Sequence, residues 1–159
     1  SEMSSLDFRN VDASPEDPVE DWPYEALVTA MERGYLADWS RIAHSIKRAP
    51  WGKTARAVEA YAEYGEHDIA ALLTETIRIA RISACAAAAD AVAGQVRSAV
   101  TRSGLTAGEF ALEVGTSGSR MSTYMAGKVA PSAPLLQRIV WTADRLQKAA
   151  GESESTSRS

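Results

Sequence analysis

The chain has 159 residues, 45% of them hydrophobic, and a formal net charge of -4, so it can bury the core of one domain or of two small ones. No stretch reaches the roughly 18 to 20 apolar residues of a membrane span, and the acidic N-terminus lacks the basic and apolar parts of a signal peptide. No membrane partner and a cytoplasmic location are therefore expected. The one cysteine, Cys85, excludes an intramolecular disulfide, and its alanine-rich surroundings predict a small buried apolar residue.

Charge is distributed unevenly. Residues 1–21 hold seven acidic groups and one basic group (Arg9), whereas residues 97–149 hold seven basic groups (Arg97, Arg102, Arg120, Lys128, Arg138, Arg145, Lys148) and three acidic ones. A basic segment inside an acidic chain suits phosphate binding by one domain alone.

In chain order, residues 1–21 are polar and acidic and contain Pro15 and Pro18, which predicts a disordered arm. From there the apolar spacing is helical almost throughout, with no sustained period of two, so an all-α fold is expected. A first helix is predicted from Pro23 to Arg33, with Leu27, Val28 and Met31 on one side and Gly34 as its stop. A second, Ala37 to Arg48, buries Trp39, Ile42, Ala43 and Ile46. Pro50 starts a third, to Tyr64, whose inner face carries Trp51, Ala55, Val58 and Tyr61 or Ala62, with Gly65 ending it.

Asp68 is a good N-cap for a fourth, long helix with apolar residues (Ile69, Leu72, Leu73, Ile77, Ile79, Ala80, Ile82) on more than one face, which predicts burial. This helix runs into the stretch Ala84 to Ala93, where only Gly94 interrupts the helix formers. The small side chains suit either a tight internal packing face or a dimer seam; without heptad regularity the packing face is preferred. The predicted organisation is an N-terminal helical module (22–83), a C-terminal domain (84–149) joined to it by the long helix, and a disordered tail (150–159).

From Leu105 the sequence reads LTAGEFALEVGTSGSRMSTYMAGKVAPSAPLLQRI. Thr106 is placed to cap a short helix, Phe110, Ala111 and Val114 to face a core, Gly115 to turn the chain, and Thr116 or Ser117 to cap a second helix with Met121 and Tyr124 as its buried stripe. In this order and ungapped register, together with Gly127-Lys128 and Pro131-Ser132, the segment resembles the Cro/C1 (XRE) helix-turn-helix family over about a third of the chain. The resemblance implies a lambda-repressor-like five-helix DNA-binding domain and a transcriptional regulator that binds double-stranded DNA, as a repressor and a homodimer on a partly symmetric operator.

It also implies that Ser117, Gly118, Ser119, Arg120, Ser122 and Thr123 face the major groove, that Thr106 caps the preceding helix at the DNA surface, and that Lys128 contacts backbone phosphate. Arg120 is the strongest reader, because a guanidinium bonds guanine O6 and N7 together. Two departures weaken the reading surface: Gly118 stands where many relatives carry a long polar side chain, and Ala107 where a phosphate-gripping Gln is frequent. Pro134 before Leu135-Leu136 shortens the usual spacing by about one residue. Arg97, Arg102, Arg138 and Arg145 are flank contacts or plain surface, the latter preferred.

In the N-terminal module, Trp22, Trp39, Trp51, Tyr24, Tyr35, Tyr61 and Tyr64 supply a small core or, in a sharper reading, a protein-binding surface. The latter allows a second function class, an antitoxin or interaction protein whose N-terminal helices hold a partner while the helix-turn-helix autoregulates its operon. An enzyme is disfavoured. His44 and His67 have no ligand partners at metal spacing and there is no glycine-rich phosphate loop, so no catalytic residue, metal or cofactor is expected.

Overall fold

The computed structural model describes residues 6–8, 11–65 and 67–157. It is all-α: among the described residues a single 3-10 turn (Val19–Asp21) precedes α1 (Tyr24–Arg33), α2 (Leu36–Arg48), α3 (Lys53–Ala62), α4 (Asp68–Ser103), α5 (Ala107–Val114), α6 (Gly118–Met125) and α7 (Ala133–Ser157). The chain divides into two compact units, Ser1–Cys85 and Ala86–Ser159, and α4 contributes residues to both.

In the first unit, α1 begins after Pro23, whose fixed φ suits a helix entry, and buries Ala26, Leu27, Ala30 and Met31. Gly34 ends it for reasons of space rather than handedness. Its φ is -77°, and a Cβ there would lie 2.2 Å from the Ala30 carbonyl oxygen. Helix α2 buries Ile42 and Ile46, and its buried Asp38 accepts from the Tyr35 backbone N–H at 3.0 Å, satisfying a free donor at the helix start. Helix α3 adds Ala55, Val58 and Tyr61 to the same core.

Four expectations for this unit are corrected. The acidic arm is packed where it is described. Leu6, Phe8, Val19 and Trp22 are buried, with the Phe8 ring edge-on to Trp22 at 5.0 Å. Arg41 of α2 donates to the carbonyls of Pro15 (2.7 Å) and Asp17 (3.0 Å) and lies over the Trp22 ring. Apolar anchors thus outweigh the low overall hydrophobicity of this segment; residues 1–5, 9 and 10 of the arm lie outside the described residues.

Trp51, expected inside, is 53% exposed, because α3 starts only at Lys53 and the ring precedes its inner face; the Arg81 guanidinium lies 5.8 Å from the ring centroid. Helix α4 buries one face, Ala70, Leu73 and Ile77, and leaves Leu72, Ile79 and Ile82 exposed by 62%, 54% and 57%. Cys85 is also exposed, as are residues 86–91, so the middle of the alanine stretch is not an internal packing face, whereas Ala93 at its end is buried.

The second unit has its own core: Val96, Ala99 and Val100 of α4, Phe110, Ala111 and Val114 of α5, Met121 and Tyr124 of α6, and Ile139 and Ala143 of α7. Helix α4 stops at Gly104, which takes a φ of 73°. The expected five helices are four helical segments among the described residues, since the last 25 residues of described helix form one element. Ser132 starts α7, accepting from the Leu135 backbone N–H at 3.2 Å. Helix formers run from Leu146 to Ala150, and the helix continues beyond them through Gly151 to Ser157, residues expected as a disordered tail. Arg158 and Ser159 lie outside the described residues.

Candidate nucleic-acid interface

Helices α5 and α6 are joined by Gly115, Thr116 and Ser117. The start of α5 is fixed by a reciprocal cap, in which the Glu109 backbone N–H donates to Thr106 Oγ1 and the Thr106 backbone N–H donates to Glu109 Oε1, both at 3.2 Å. The Thr106 side chain and then its backbone N–H hold the Glu109 carboxyl below the usual carboxylate range. Gly115 ends α5 in the left-handed region (φ 91°, ψ 37°), its N–H bonding to the carbonyls of Ala111 and Leu112, while the Thr116 N–H bonds to Ala111 at 2.9 Å. Ser117 Oγ then accepts from the Arg120 N–H at 3.1 Å and starts α6.

Met121 and Tyr124 turn inward against Phe110, Ala111 and Val114. Ala111 is fully buried in this core, where only a small side chain lets the helices approach so closely. With its inner stripe fixed, α6 must present Ser119, Arg120 and Ser122 to solvent, beside exposed Ser117 and Gly118 at its start. The first turn carries the positive end of the helix dipole and no acidic residue. Lys128 is exposed in the loop that follows Gly127, which takes a φ of 74°.

Thr123, like the capping Thr106 and Ser117, has its hydroxyl bonded back to the backbone. It is half-buried, and its hydroxyl donates to the Ser119 carbonyl at 2.9 Å. Thr106, Ser117, Gly118, Ser119, Arg120, Ser122 and Lys128 all reach solvent on this stretch of chain. A Cβ on Gly118 would meet the Gly108 Cα at 3.6 Å, ordinary contact, so the packing does not demand glycine there.

Four other cations of this unit are committed elsewhere. Arg97 Nη1 donates to the Met125 carbonyl at 2.7 Å and Arg138 Nε to the Val114 carbonyl at 2.9 Å, so each caps the last carbonyl of a short helix. Arg102 pairs with Asp144, and Arg145 approaches Glu113 at 3.5 Å. From the sequence these four are flank contacts or plain surface, the latter preferred. The residues they reach lie 28, 24, 42 and 32 positions away, beyond any local spacing rule. The side chains of Arg120 and Lys128, by contrast, have no hydrogen-bond or ion-pair partner among the described residues.

No group of three or more His, Cys, Asp or Glu able to hold a metal ion occurs among the described residues. Comparison with protein-family models, curated proteins and solved structures gave no match.

Proposed function

We propose that the chain is a sequence-specific DNA-binding transcriptional regulator that inserts α6 into the major groove of double-stranded DNA. The observation that supports this best is the division of labour among the basic residues. Arg97 and Arg138 are spent on capping α6 and α5, while the side chains of Arg120 on the outer face of α6 and Lys128 in the next loop are left to an external partner. Arg120 reads a base by bidentate bonding, with Ser119 and Ser122 beside it; Lys128, Ser117 and Thr106 hold phosphate. Repression from a symmetric operator by a homodimer is the mode in which one short recognition helix per copy gains enough contact area.

The test is selection of bound fragments from random duplex DNA by the full chain at moderate salt. Enrichment of a sequence motif, lost with Arg120→Ala, is expected. Failure to enrich any motif overturns the reading.

A second reading, a protein partner held by the N-terminal helices, is favoured by the exposed Leu72, Ile79 and Ile82, three large apolar side chains on one helix of the first unit.

A further inference from the structure

The outer face of α6 changes character along its length. Ser119, Thr123 and Ala126 follow one another at spacings of four and three residues, so they lie on one line of the helix, and Thr123 sits about 200° around the axis from the buried Met121. Ala126 keeps that line, with helical angles of φ -79° and ψ -9°. The N-terminal part of this face is polar, from Ser119, Arg120 and Ser122. Its C-terminal part is apolar in what it offers. Ala126 is exposed and carries only a methyl group, and the Thr123 hydroxyl gives its proton to the Ser119 carbonyl at 2.9 Å.

A β-branched side chain held in this way has both branches fixed. With Oγ1 turned back one helical turn, the hydroxyl keeps only lone pairs for a base, and the methyl is the other branch. This end of the helix is also anchored. The Lys128 backbone N–H donates to the Thr123 carbonyl at 3.2 Å, the Ala126 N–H to the Ser122 carbonyl at 3.0 Å, and Arg97 to the Met125 carbonyl at 2.7 Å. A phosphate is poorly served here, where the helix dipole is negative and Ala126 supplies no donor. The major groove displays one apolar group on its base edges, the C5-methyl of thymine.

We infer that Thr123, with Ala126 beside it, packs its methyl against the C5-methyl of a thymine in the bound duplex. Thr123 is then a specificity-determining residue that selects by apolar contact, while Arg120 selects by hydrogen bonding. The inference rests on the DNA-binding reading proposed above and adds to it one base and the group recognised on that base.

The test uses the full chain and the motif it selects from random duplex DNA. Each thymine of the motif is replaced in turn by uracil, which pairs in the same way and lacks only the methyl, and affinity is titrated at fixed salt. One thymine should be sensitive, its replacement weakening binding about three- to fivefold, the worth of burying one methyl group. Thr123→Ser keeps the hydroxyl and loses the methyl, so it should bind the thymine and uracil duplexes alike. Thr123→Val keeps the methyl and loses the hydroxyl, so it should preserve the preference for thymine. The uracil series needs no variant and therefore stands even where a substitution lowers the melting temperature. Absence of any selected motif overturns both this inference and the DNA reading. A motif that depends on Arg120 but contains no uracil-sensitive thymine overturns this inference alone, as does a thymine preference that persists in Thr123→Ser or disappears in a folded Thr123→Val.

Discussion

The guanidinium of Arg97 in α4 donates to the carbonyl of Met125, the last residue of α6, at 2.7 Å. This one bond ties the end of the candidate recognition helix to a helix that supplies Val96, Ala99 and Val100 to the same core. The arginine therefore stabilises the element that positions Arg120.

Arg97→Ala should destabilise the second unit by about 1 kcal/mol, the usual net worth of such a bond at a partly solvated site. Amide exchange in α6 should accelerate while exchange in α1 to α3 stays unchanged. A salt dependence of DNA binding that falls as steeply as in the parent is also expected, since no phosphate contact is removed. A shallower slope would instead make Arg97 a phosphate ligand.

Gly115 and Gly118 lie three residues apart and should respond in opposite directions. Gly115 adopts a left-handed conformation, so Gly115→Ala should cost about 1 to 2 kcal/mol. Gly118 opens α6 with room for a Cβ, so Gly118→Ala should be neutral or stabilise by roughly 0.5 kcal/mol through the unfolded chain. Chemical denaturation of the two variants checks both signs.

What could be read from the sequence follows from the range of the forces involved. The caps at Thr106 and Ser117, the turn at Gly115 and the inward Phe110, Ala111, Met121 and Tyr124 are set by neighbours within one helical turn, and the observed positions match those expected. The starts of α1 and α2 fell within one residue of expectation for the same reason. Trp51, the arm and the outer face of α4 depended on distant partners. The sequence periodicity of α4 marked Leu72, Ile79 and Ile82 as apolar, but apolar character alone does not say that a partner element is present to cover them. The composition of residues 11–21 likewise hid the bonds from Arg41, which joins the arm from 26 and 24 positions away.

The arm has an acid-sensitive attachment. Glu20 accepts from Ser45 Oγ at 2.9 Å and pairs with Arg48, and the Arg48 bond is the main cause of a carboxyl pKa lowered from 4.5 to about 2. Because the folded value lies below the unfolded one, the stabilisation is fully present above about pH 5. It is lost as pH falls toward 2. The pair is well exposed to solvent, so its worth is taken as about 1 kcal/mol or less. Glu20→Gln should lower stability at pH 7 by about that amount, and the difference from the parent should shrink as pH falls through about 2 and vanish below it. A constant difference across this range would mean that the carboxyl acts through shape rather than charge.

Arg120 and Lys128 are the pair whose behaviour separates reading from holding. Lys128 is a point charge in a loop, and loss of one phosphate contact should reduce the slope of log affinity against log salt by about 0.9. Lys128→Ala should therefore weaken all duplexes nearly equally, with selected motifs unchanged. Arg120 is presented on the outer face of α6 while its own backbone N–H is held by Ser117, so its side chain extends from a fixed start. Arg120→Ala should relax one position of the selected motif and lose roughly 1 to 3 kcal/mol of discrimination there. Its effect on a duplex lacking that base should be confined to the loss of one cation. Measured together by titration on matched and mismatched duplexes at several salt concentrations, the two variants should differ in kind. Two uniform losses would move Arg120 from base reading to phosphate contact, and two sequence-specific losses would place Lys128 in the groove.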